Sequence, residues 1–115
     1  MLPRHQRLSR QRIEYVFKKG KKIAKDIFIL KILPNFKPAS RFCVIVSTKI
    51  EAKAVKRNLL RRRIYEAIRL HQNDKGNQEK NYDVILIPSN KIVQSSFQEI
   101  EKNILSLLQT LYHQK

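Results

Sequence analysis

The chain has 115 residues, with 25 Lys and Arg against 9 Asp and Glu and a formal net charge of +16. That length is expected to make one domain, able to bury roughly two thirds of its unfolded surface and to fold alone, with no room for a second. A balance this basic selects nucleic acid or an anionic membrane as partner, and since no apolar run reaches the ~18 residues of a membrane span, no membrane partner is expected.

The charge is unevenly placed. Residues 1–63 carry 19 basic and 3 acidic side chains, whereas residues 64–115 carry 6 of each, so the whole excess lies in the first half. The N-terminal stretch MLPRHQRLSRQR lacks the apolar core of a signal peptide, which predicts a cytoplasmic protein. Residues 1–8 read as a basic flexible arm and residues 9–111 as the folded core of a single nucleic-acid-binding domain.

Ser9 is a plausible N-cap for a first helix, with Leu8 and Ile13 as a hydrophobic staple. Ile13, Val16 and Phe17 form its short apolar face, and Gly20 stops it. A strand is predicted from about Ile23 to Leu33, placing Phe28, Leu30 and Ile32 on one side and Ile27, Ile29 and Lys31 on the other. Residues 34–40, with two prolines, supply a turn, and a second strand from Arg41 to about Thr48 is expected to pair with the first as a hairpin. Within it, Cys43 is expected to be a small core side chain with no disulfide partner.

A helix over residues 52–71 follows. Asn58, Arg61, Arg62, Tyr65 and Arg69 share one face, and Leu60, Ile64, Ala67, Ile68 and His71 share the other. Between Lys49 and Arg63 there are seven Lys or Arg and one acid, Glu51, far more cation than an i,i+4 salt-bridge pattern uses. Residues 71–81 read as a loop, and residues 82–87 as a third strand closed by Pro88. Ser96 and Glu99 make a capping-box signature, after which Phe97, Ile100, Ile104, Leu107, Leu108 and Leu111 keep helical period to the C-terminus. The order α-β-β-α-β-α predicts an α+β fold, a two-layer sandwich of helices on a small mixed sheet.

No constellation for catalysis is visible. His5, His71 and His113 are scattered, the early acids Glu14, Asp26 and Glu51 form no two-metal pattern, and two glycines make no phosphate-cradling loop. No metal site and no catalytic residue are therefore expected in this chain. Guanidinium forks at Arg57, Arg61 and Arg62 suit bidentate phosphate contact, and Asn58 among them suits either a sugar hydroxyl or a solvent-facing position. Tyr65 suits stacking on a base and covering the sheet edge equally.

Residues 28–33, Val46-Ser47-Thr48-Lys49-Ile50, the stretch Ala54-Val55-Lys56-Arg57-Asn58-Leu59-Leu60-Arg61-Arg62 and residues 82–87 together resemble the protein component of bacterial ribonuclease P, from about Leu8 to Leu111. The resemblance implies a left-handed β-α-β crossover through the second helix, as in the second domain of ribosomal protein S5. It also implies a subunit of a ribonucleoprotein endonuclease in which the RNA is the catalyst, with Mg2+ bound mainly by that RNA. The implied partners are the catalytic P RNA and precursor tRNA, from which the 5′ leader is removed, and no protein partner is required.

By that resemblance the P RNA contact would comprise Lys53, Lys56, Arg57, Asn58, Arg61, Arg62, Arg63 and Tyr65. The leader cleft would comprise Ile13, Phe17, Ile29, Lys31, Ser47 and Lys49. The chain departs from the pattern where Leu59 replaces a basic residue and Tyr65 an arginine. Ile13 and Lys31 stand at aromatic cleft positions, Asp26 at an arginine, and Glu51-Ala52-Lys53 replaces a glycine in a segment one residue longer. A structural ribosomal protein and a DNA-binding regulator remain alternatives, the latter weakened because the basic face carries phosphate-type rather than base-reading side chains.

Overall fold

A computed structural model describes residues 7–25, 27–37, 39–71 and 81–112. Most of the predicted loop over 71–81 and most of the predicted arm lie outside them. The first helix, α1 (Arg10–Lys19), begins at Ser9, whose hydroxyl accepts the Arg12 amide at 3.2 Å, and ends at Gly20, whose amide donates to the Val16 carbonyl. The glycine is required by space rather than by backbone angle. A Cβ there would sit 2.5 Å from the Val16 carbonyl oxygen and 3.1 Å from that of Ile32.

Where the sequence suggested one strand over 23–33 there are two, β1 (Lys21–Lys25) and β2 (Phe28–Pro34), folded on each other with Lys25 opposite Phe28. Nor does the next strand, β3 (Arg41–Val44), pair with its predecessor. Both flank β4 (Tyr82–Pro88), β2 antiparallel and β3 parallel, giving the order β1-β2-β4-β3. The reason is burial. Val84, Ile85 and Leu86 are all fully buried, so β4 has apolar side chains for both faces and takes a central place that a one-sided strand cannot.

The parallel pair β3 and β4 is joined through α2 (Ala54–His71), the crossover helix the resemblance implied. A short 3-10 turn at Asn90–Gln94, unforeseen in the sequence, buries Ile92. It leads into α3 (Phe97–Tyr112), which opens on the expected capping box: Glu99 N–H donates to Ser96 Oγ at 3.1 Å, and Ser96 N–H to Glu99 Oε1 at 3.4 Å.

The main core joins one sheet face to α2 and α3. Phe28, Leu30, Ile32, Phe42, Val44, Val84 and Leu86 meet Ile64, Ala67 and Ile68 of α2 and Ile100, Ile104, Leu107, Leu108 and Leu111 of α3. The mixed α+β sandwich predicted from the sequence is thus present, with one more strand than counted. The opposite face carries Ile29, Lys31, Ile85, Ile87 and, by the same alternation, Cys43. Cys43 is therefore half-buried outside the main core, because Phe42 and Val44 take the inward positions.

Candidate nucleic-acid interface

The helix α2 is anchored by Ile64, Ala67 and Ile68, all fully buried, and its end is tied to α3 by His71 Nε2 and Glu101 Oε1 at 3.0 Å. Leu60 and Tyr65 pack against the same core from the flanks. What the helix turns outward is cationic. Lys53, Lys56, Arg62 and Arg63 are exposed, and no carboxylate among the described residues pairs with them. Val55 and Leu59 lie among them as exposed apolar residues.

Three residues of the predicted set do more than present charge. Arg57 folds its guanidinium back onto the carbonyls of Glu51 and Ala52 at 3.0 and 2.6 Å, bracing the turn that leads into the helix. Arg61 donates to Asn58 Oδ1, so this pair is preset with the Asn58 amide N–H2 directed elsewhere. Tyr65 resolves toward the sheet edge: its hydroxyl accepts the Val44 amide at 3.0 Å, and Arg7 bridges the same strand at Phe42. Together they occupy backbone groups of β3 that an edge strand would leave open. Burial raises the Tyr65 hydroxyl pKa against the hydrogen bond from Val44, and burial likewise raises the Cys43 thiol against its contact with Tyr65. Arg69 is spent on Glu66, 2.5 Å away and one turn back.

On the other sheet face α1 lies over β2 and β4, burying Val16 and Ile85 completely. It leaves Ile29, Lys31 and Ile87 half-covered, with Ile13 half-buried and Phe17 exposed on one flank of the helix. A partly open, largely apolar strip of the sheet with Lys31 in it is left beside α1. Ser47 sits past the end of β3, where its side chain accepts the Ile50 amide and shapes the turn, and Lys49 is exposed on that turn.

The residue that fixes α1 is one the sequence reading passed over. Asp83 is fully buried in β4, and its carboxylate accepts from Arg12 Nε, from Asn35 Nδ2 at 2.9 Å, and from Arg41 Nε and Nη2 at 2.8 and 2.7 Å. Burial alone would raise its pKa, but the bonds from Arg41, Asn35 and Arg12 outweigh it and hold the carboxyl below the usual range. An acid inside an apolar central strand was the available signal, since such a charge persists only with partners.

Among the described residues, no three His, Cys, Asp or Glu side chains gather where they would hold a metal ion, and no helix is long and apolar enough to cross a membrane.

Fold and surface together define a small α+β domain with one cationic helix on one side of its sheet and a partly open apolar strip beside α1 on the other. The sequence matches the profile of the Ribonuclease P family over residues 2–112, and the chain belongs to that family. The ribonuclease P protein component of Alkaliphilus oremlandii is 38% identical over 96 residues, covering 84% of this chain and 81% of the relative. That of Clostridioides difficile is 36% identical over 93 residues, covering 81% and 79%. The solved RNase P protein of Thermotoga maritima superposes with a TM-score of 0.72 at 30% identity, covering 90% of this chain and 94% of that one.

Proposed function

We propose that this chain binds the catalytic P RNA through α2 and the 5′ leader of precursor tRNA through the cleft beneath α1, assisting endonucleolytic removal of the leader. The observation that carries this reading is the exposed surface of α2 and of the residue before it, where Lys53, Lys56, Arg62 and Arg63 stand without carboxylate partners among the described residues, on a helix locked into the core. The reaction is assigned to the RNA, which is also proposed to hold the Mg2+. The protein then supplies position and charge. Its cations lower the repulsion between two RNAs brought together, and Phe17 with the apolar floor of the cleft offers the unpaired leader a surface for its bases.

The test is reconstitution. A bacterial P RNA and precursor tRNA are mixed at low Mg2+, where RNA alone is slow, and addition of this protein is expected to restore cleavage at the mature 5′ end. With about four to six cations on phosphate, affinity for P RNA should fall with salt at a log-log slope of about −3 to −5. No acceleration at low Mg2+ and a flat salt response would refute the proposal.

A further inference from the structure

The loop that follows β2 holds an aromatic side chain in a setting that serves no packing purpose. Phe36 is 91% exposed, and its backbone is in the left-handed region, at φ 53°, the one residue other than glycine so placed among those described. A phenyl ring in that conformation is strained in a way Gly or Asn would avoid, and its exposure recovers nothing from burial.

The loop is nonetheless tightly built. Asn35, itself buried, accepts the Lys37 amide through Oδ1 at 2.9 Å and donates to the Ala39 carbonyl and to Asp83. Asn81 Nδ2 donates to the Lys37 carbonyl at 2.8 Å, and Ser40 Oγ accepts the buried Tyr82 amide at 3.0 Å. This network leaves Phe36 little freedom to retract.

Asp83 also collects a second exposed aromatic into the same neighbourhood. Arg12 meets the carboxylate through Nε, which leaves its terminal nitrogens unspent on that acid, and its guanidinium lies 4.9 Å from the Tyr15 ring centroid. Two guanidiniums on one carboxylate leave a net positive charge there, with Lys37 exposed beside it. Arg12 and Tyr15 occupy the flank of α1 opposite Ile13 and Phe17. The sheet separates this patch from α2, which packs on the other face. It therefore continues the leader side of the molecule, not the P RNA side.

We propose that this patch is a second contact for single-stranded RNA, holding the precursor's leader beyond the cleft, with Phe36 and Tyr15 stacking on bases and Arg12, Lys37 and Arg41 meeting phosphates. The inference rests on the leader-binding reading above. The α1 helix divides the two contacts by about 10 Å, its own diameter, so a leader long enough to cross it is needed to reach both.

The experiment uses the enzyme reconstituted from P RNA and this chain, with two precursor tRNAs: one whose leader ends inside the cleft and one whose leader extends well past it. Phe36→Gly is expected to weaken binding of the long-leader substrate about tenfold, with the short-leader substrate unaffected and the melting temperature equal or higher. Phe36→Asn, which also tolerates the left-handed backbone, should behave alike, and Tyr15→Ala should lower long-leader affinity in the same selective way. Equal affinity for the long leader in wild type and both Phe36 variants would overturn the inference, as would an equal loss with both leaders. A wild-type protein that promotes cleavage of neither substrate at low Mg2+ would instead overturn the underlying assignment.

Discussion

Replacing Asp83 by Asn tests the claim that one buried carboxylate positions α1. The substitution keeps shape but presents two guanidiniums and an amide donor from Asn35 to a neutral group with a single acceptor oxygen. Stranding partners of a buried ion pair costs about 3–5 kcal/mol. Here the Arg12 and Arg41 side chains keep 28% and 22% exposure, so both can turn to water. A loss of about 2–3 kcal/mol is therefore expected, or about 8–12 °C in melting temperature for a domain of this size. The pH dependence sharpens the test. The folded carboxyl titrates below its unfolded value, so its stabilisation is complete above about pH 4 and is lost as pH falls through the folded pKa. Thermal melts followed by circular dichroism should show a wide gap between wild type and D83N at pH 7 that narrows below about pH 4. A variant melting with the wild type at pH 7, or a gap unchanged in acid, would refute the argument.

Arg62→Ala should weaken P RNA binding without altering the melting temperature, because that side chain is exposed and contacts no described partner, whereas Arg57→Ala should cost both affinity and about 1 kcal/mol of stability through the lost carbonyl bonds; filter binding and melts on each variant separate the two. Tyr65→Phe should destabilise by about 1 kcal/mol, by removing the acceptor for the Val44 amide, and leave RNA affinity unchanged in the same binding assay. Ser96→Ala should cost about 1 kcal/mol in denaturant titration by opening the capping box of α3. Gly20→Ala should cost about 1–3 kcal/mol in the same titration, since the new methyl meets the Val16 carbonyl, a backbone atom with no rotamer to move to.

What the sequence made legible is local. Ser9 and Gly20 bound α1, the Ser96 and Glu99 pair opens α3, and the Ile64, Ala67 and Ile68 stripe marks the buried side of α2, each readable within a few residues. The break between β1 and β2 was marked only by Asp26, a single turn-former with no Gly, Pro or Asn beside it and strand-formers on both sides, too weak a signal to split the run. Strand order was hidden for another reason: β4 becomes central through contacts with elements about 40 and 50 residues away, which no local pattern encodes. The same divide runs through the site. Spacing put Arg62 on the outward face, where it is exposed, but Arg57 folding back on its own turn and Tyr65 closing the β3 edge depend on tertiary neighbours. The Asp83 network joins residues separated by 42 to 71 positions, so only the oddity of an acid in an apolar strand hinted at it.

The length of α1 explains why its face of the sheet stays partly open. Ten residues of helix reach about 15 Å and cover a strip about 10 Å wide, while the seven-residue strands β2 and β4 run about 23 Å. A helix that short cannot roof the sheet, so Val16 seals Ile85 beneath it and Ile29, Lys31 and Ile87 stay partly open. Which part stays open is decided at two points. Arg12 is drawn to Asp83 beside Asn35, and Gly20 lets the helix end press against the Ile32 carbonyl, both toward the end of the sheet where β2 finishes and β4 begins. The opening is thereby forced to the opposite end, toward Ile29 and Ile87. Loss of either anchor should let α1 drift across the face and close the very gap that a single strand of RNA would occupy.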